Sequence, residues 1–104
     1  MNIEEICFQL ILHGGDAKSH AMEAIFHAKD GNFEEAEESL KAASTAIQEA
    51  HHQQTSLIQG EARGEKIEIR ILLIHAQDHL MNAITINDMA KELVEIHKRL
   101  HNAE

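Results

Sequence analysis

The sequence predicts an all-α fold, an antiparallel three-helix bundle that goes on to self-associate, and three observations carry the prediction. Proline is absent from all 104 residues, so no residue forces a helix to break. Glycine-centred breaks, one at Asp30 to Asn32 and one at Gly60 to Lys66, divide the chain into three segments. Within each segment apolar or small residues recur in steps of three and four, the period of one helix face. Aromatic residues make up 3% of the chain, with Trp and Tyr absent, so packing falls to Leu, Ile, Ala and Met. This length supports one domain, residues 1–104, and such a domain buries only about 65% of its unfolded surface.

The first segment carries a seam of small residues, Gly14, Ala17, Ala21, Ala24 and Ala28. Small side chains let helix axes approach closely, so this seam is expected to face another helix. Gly14 and Gly15 weaken a helix by roughly 1 kcal/mol each relative to alanine. The segment is still read as one helix, with a bend admitted at the pair. Gly31 supplies a C′ glycine to end it, and Asn32 opens the second helix. Glu35, three residues beyond Asn32, completes a variant of the capping box, and Glu34 and Glu35 suit the positive end of the helix dipole. The second stripe runs Ala36, Leu40, Ala43, Ile47, Ala50 and Leu57, interrupted only by Gln54. The next break begins at Gly60, and the apolar pattern resumes at Ile67.

The third segment has two apolar sides. On a wheel of about 100° per residue, Leu72, Leu73, Ala76, Leu80, Ala83, Ala90 and Val94 fill one side. Ile67, Ile71, Ile74, Met81, Met89, Ile96 and Leu100 fill the other, with Asp78 in its middle. A three-helix bundle buries the first side alone. Self-association through the third helix covers the second, which places Asp78 in an intersubunit seam. Carboxylates meeting there cannot all ionise in a dry site, so protons are retained or a cation sits between them. An all-oxygen cluster favours Mg²⁺ or Ca²⁺ over zinc. Equally open is a single hydrogen bond between Asp78 and one neighbour at the edge of a two-helix contact.

A net charge of −9, with histidine neutral, argues against a nucleic-acid binder, which needs a basic face. The single cysteine, Cys7, excludes a disulfide framework and suits a reducing compartment; among Ile6, Phe8 and Leu10 it reads as a buried apolar thiol. The start lacks the pattern of a secretory signal, and no stretch is long and uncharged enough to span a membrane. The expectation is a cytoplasmic protein without membrane insertion.

The stretch from Ile74 to Met81 holds the chemistry. His75, Asp78 and His79 leave one helix at spacings of three and four, so they can act together. Burying such groups costs several kcal/mol unless each is paired or metal-bound, so a chain that carries them in its most apolar stretch uses them. A neutral imidazole is a competent nucleophile and forms covalent intermediates, phosphoryl ones included. His79 is placed to orient His75 or to donate to an anion there, and Gln77 adds a donor if a neighbouring subunit brings it close. The bland alternative is a satisfied interior histidine. A di-iron bundle needs two inward Glu-x-x-His elements, and only Glu49 to His52 supplies one. His13, His20 and His27, at seven-residue steps, read as the polar border of an amphipathic helix, and His97 and His101 suit the negative end of the last one.

Together these residues resemble the enzyme IIA component of the lactose/cellobiose (chitobiose) class of the bacterial phosphoenolpyruvate-dependent sugar phosphotransferase system. The likeness runs through Leu12 to Ser19, Ala21 to Ala24, Ala28 to Ala36, Ala50 to Gln59, Gly64 to Lys66 and, most specifically, His75 to Met81. It implies a homotrimer of nine helices with the third helices around the threefold axis. It implies that His75 accepts phosphate from the phosphocarrier HPr and passes it to a cysteine of enzyme IIB, and that Asp78 holds Mg²⁺ on the axis. Gly14, where alanine is more usual, and Asn82, often threonine, depart from the family pattern. The rival reading is a non-enzymatic helical metal-binding or scaffold oligomer.

Overall fold

A computed structural model describes residues 2–103. Three helices, α1 (Ile3–Lys29), α2 (Phe33–Ala62) and α3 (Ile71–Asn102), form an up-down-up bundle about 58 Å long and less than 20 Å across. The directions follow from contacts at the two ends. Arg70, just before α3, pairs with Glu4 at the start of α1 at 3.2 Å, whereas Lys98 near the end of α3 donates to Glu37 at the start of α2. α1 is the central element, and α2 and α3 pack chiefly on it rather than on each other.

The small-residue seam of α1 faces inward as expected. Gly14, Ala17, Ala21, Ala24 and Ala28 are all buried, against Ala36, Ala43, Ala46 and Ala50 of α2 and Ala76, Ala83 and Ala90 of α3. With a single methyl at so many contacts, the helices approach closely and bury backbone as well as side chain. The larger buried groups are Cys7, Leu10 and Leu80 near one end and Val94 nearer the other. Burial pushes the Cys7 thiol above its ordinary pKa, as its apolar neighbourhood implies.

Both connections are glycine-terminated. At the first, Gly31 takes φ +79°, the Asn32 amide donates to the carbonyl of His27 at 2.8 Å, and the Gly31 amide donates to that of Ala28. The second repeats the pattern with Gly64 at φ +89°, Glu65 donating to Gly60 and Gly64 to Glu61. Each is the paired bond of a Schellman turn, and only glycine enters that left-handed conformation without strain.

Three local expectations are corrected. Asn32 makes no side-chain cap bond to α2, so the capping box is not formed. Its ψ of 71°, set by the turn that closes α1, departs from the extended geometry a cap requires. Gly60 does not open the second break: it is a buried helical residue, and α2 runs on to Ala62. Nor does α3 begin at Ile67. Residues 65–70 belong to no helix or strand, with Ile67 packed on the core edge, and the helix starts at Ile71 behind an extended Arg70 held by Glu4 and Glu68. Gly14 and Gly15 lie inside an unbroken α1.

Candidate functional site

The predicted inward side of α3 is inward: Ala76, Leu80, Ala83, Ala90 and Val94 are buried, with Leu72 and Leu73 packed at the core margin. The second stripe lies bare in the single chain, with Ile71 85% exposed and Ile74, Met81, Met89, Ile96 and Leu100 about half or more exposed. Asp78 is exposed in the middle of that stripe, and its Oδ2 accepts from the Asn82 carboxamide one turn on, at 3.3 Å. The carboxamide thereby engages one of the two carboxylate oxygens.

His75 is exposed at the border between the bare stripe and the flank of α3 that meets α1. His79 lies one turn on and is half-buried. The two rings are nearly parallel, 28° between planes, with centroids 5.9 Å apart. Under His79 lies the backbone of α1 at the glycine pair. A Cβ placed on Gly14 would stand 3.0 Å from His79 Cδ2, and one on Gly15 3.5 Å from Nε2. The glycine pair thus lets the second imidazole lie down on α1 while the first projects into solvent. Neither lysine nor arginine occurs between Arg70 and Lys91, so no cation of α3 lies within four turns on the C-terminal side of His75.

Gln77 lies elsewhere. Two residues from His75 it points about 200° round the helix, and its Oε1 accepts from the Gln54 carboxamide at 2.7 Å. Within one chain it joins α2 to α3 rather than reaching His75. The clue was in the sequence, because Gln54 was the sole interruption of the α2 stripe. Sequence reasoning missed two features of the site: the Asn82 bond to Asp78, and the contact between Gly14 and His79, whose signal was a glycine pair inside a long helical pattern. His51 and His52 are exposed, and His13, His20 and His27 are half-buried along α1. Among the described residues no group of three or more His, Cys, Asp or Glu side chains could hold a metal. Asp78 alone offers hard oxygen ligands at the centre of an apolar face, a donor set that becomes a site only when copies of the chain meet there.

A family model described as PTS system, lactose/cellobiose-specific IIA subunit, matches residues 5–98. The chain belongs to this family. It is therefore a IIA component, a phosphoryl carrier of a sugar phosphotransferase system. The lichenan-specific phosphotransferase enzyme IIA component of Bacillus subtilis (strain 168) is 54% identical over 98 residues, which cover 94% of this chain and 89% of that protein. The cellobiose-specific enzyme IIA from Bacillus anthracis, a crystal structure, superposes with a TM-score of 0.97 at 56% identity, covering 100% of this chain and 95% of that one. The IIA(chitobiose)–HPr complex of the N,N'-diacetylchitobiose branch of the Escherichia coli phosphotransferase system superposes with a TM-score of 0.84 at 37% identity, covering 97% of this chain and 98% of that one. The all-helical, three-helix reading of this IIA chain stands.

Proposed function

We propose that His75 carries the phosphoryl group, receiving it from phospho-HPr and delivering it to a cysteine of enzyme IIB, in support of phosphorylation-coupled disaccharide uptake. The observation that carries this reading is the placement of the ring: solvent-reachable, beside a broad apolar surface, with a second imidazole stacked behind it. An uncharged ring nitrogen of His75 attacks the phosphorus in line. The N–P bond to the HPr imidazole breaks as the new N–P bond forms, and the departing ring keeps its electron pair. In the second step the thiolate of enzyme IIB attacks, the His75 N–P bond breaks, and the pair returns to the imidazole, which can then take up a proton. Such transfers rest on positioning and on tolerance of spread charge rather than on protein covalent chemistry beyond the carrier itself. A carrier must also release what it holds, and the sparse cationic surroundings keep phosphohistidine from being trapped.

Around the site, His79 fixes the orientation of the His75 ring. Gln77 acts there only if another subunit presents it. The assembly is a homotrimer in which the bare side of α3 is covered by its copies. Three Asp78 carboxylates then converge and hold one Mg²⁺, which neutralises charge that would otherwise oppose association. The protein works in the cytoplasm, where its donors are found; among the described residues no helix is long and apolar enough to cross a membrane. The sugar does not touch this component, and relatives of comparable identity are specific for lichenan, galactose and cellobiose.

The test is incubation with phosphoenolpyruvate, enzyme I and HPr, following acid-labile phosphate. Wild type is expected to take up one label per chain and His75→Gln none. Equal labelling of the two would end the carrier reading and leave the scaffold reading in its place.

A further inference from the structure

We infer that the groove between α2 and α3 is a binding site for a small phosphomonoester rich in hydroxyl groups, a sugar phosphate in class, held between Lys41 and Lys91. The inference goes beyond the carrier reading and stands apart from it, because neither His75 nor Asp78 lines the groove.

Because α2 and α3 pack chiefly on α1, they leave between them a cavity of about 530 Å³, a size that suits a small ligand. Lys41, Ser44, Thr45 and Gln48 line it from α2, and Lys91 lines it from α3. Leu40, nearly buried, adds an apolar patch to the wall. Glu37 is the one carboxylate in the lining, and it is already engaged by Lys98. Carboxylates are plentiful in this chain, with 18 acidic residues against 9 basic ones. Arg63, Arg70, Lys98 and Arg99 each pair with one, whereas Lys41 and Lys91 pair with none among the described residues. Two ammonium groups on the walls of one groove repel each other, and the nearest acid in the lining is spent on a third cation. A dianion seated there removes the repulsion and gains charge-assisted hydrogen bonds from both lysines. A phosphomonoester carries close to two negative charges near neutral pH. The Ser44 and Thr45 hydroxyls and the Gln48 carboxamide both donate and accept, which matches the hydroxyl groups of a sugar. Lys91 comes thirteen residues after Asp78, which turns it about 140° round α3 from the bare side. Copies of the chain covering that side therefore leave the groove open. Along the helix Lys91 stands about 24 Å from His75, so the two places do not overlap.

The experiment is calorimetric titration of the full chain, without any phosphoryl donor, using glucose 6-phosphate, inorganic phosphate and glucose as probes. Glucose 6-phosphate is expected to bind saturably and glucose not at all. Inorganic phosphate should bind about tenfold more weakly, since it forgoes the hydroxyl contacts. Lys41→Gln and Lys91→Gln should each weaken glucose 6-phosphate binding about tenfold or more. Lys18→Gln, an equal loss of charge on the exposed side of α1, should leave it unchanged. All three lysines are exposed, so the variants are expected to fold, and circular dichroism checks that they do. Absence of saturable binding by glucose 6-phosphate overturns the inference. So does inorganic phosphate binding as tightly as the ester, or a loss in Lys18→Gln equal to that in the groove variants, which would mark diffuse attraction. His75→Gln should bind the ester like wild type. A failed titration therefore leaves the carrier reading standing, and a failed phosphate-labelling experiment leaves the groove standing.

Discussion

Asn87 is a polar side chain in an apolar place. It is 3% exposed, lies on the buried face of α3 between Ala83 and Ala90, and its Oδ1 accepts no hydrogen bond. Leaving a buried carbonyl without a donor costs about 1–3 kcal/mol. Asn87→Leu is therefore expected to stabilise the subunit by about 1 kcal/mol, read as a higher urea midpoint at unchanged helicity. A lower midpoint would mean that the carboxamide has a water partner in solution. This residue also marks a limit of sequence reading. The spacing of His75, Asp78 and His79 was legible because all three sit on one helix, where geometry follows from counting. The contact of His79 with Gly14 was not, because it depends on which turn of α1 lies across from α3. That register is set jointly by the alanine seams of all three helices. Gln54 and Gln77 lie 23 residues apart, and only the packed bundle pairs them.

At the scale of elements, the helices were legible and their ends less so. Apolar period and proline absence gave three helices, and Gly31 gave the first turn. The late start of α3 was hidden because Ile67 fits an apolar stripe on either a helix or an extended strand; the tie of Arg70 to Glu4 at the start of α1 decides between them. The opposite end of the bundle is tied by Lys98 and Glu37, joining α3 to α2. The hydrogen bond to the Glu37 carboxylate, aided by its charge, holds the Lys98 ammonium above its ordinary pKa. A raised value in the folded state means the stabilisation is complete below the unfolded lysine range and is lost as pH climbs through the folded value. The pair is partly exposed, so it contributes at most about 1 kcal/mol. Denaturant titrations at neutral pH and through increasing alkali should show Lys98→Met weakening the protein most at neutral pH, with the difference from wild type narrowing as pH climbs through the folded value. A difference that persists there would assign the loss to packing of the lysine stem.

For the whole molecule the decisive feature is the uncovered side of α3. Six large apolar residues, from Ile71 to Leu100, stand about half or more exposed along one helix, more contiguous apolar surface than a monomer normally leaves in water. The two-sided wheel of the third segment already implies this bare side, because a three-helix bundle has no fourth element to cover it. With Asp78 in the middle of that surface, the homotrimer proposed above would depend on what neutralises its carboxylates. Asp78→Asn is expected to make trimer stability insensitive to chelators, whereas wild type should lose trimer in EDTA while the subunit stays helical. Sedimentation together with circular dichroism reads both. A wild type that remains monomeric yet fully active in transfer would refute the axial arrangement.

The up-down-up course also separates the working end from the tail. Between His75 and Ala103 α3 climbs about 40 Å. A fluorophore, affinity handle or tethered partner joined beyond Ala103 therefore sits remote from the His75 imidazole. Labelling there should leave the hand-over of phosphate undisturbed and free the chemistry to be watched from a distance.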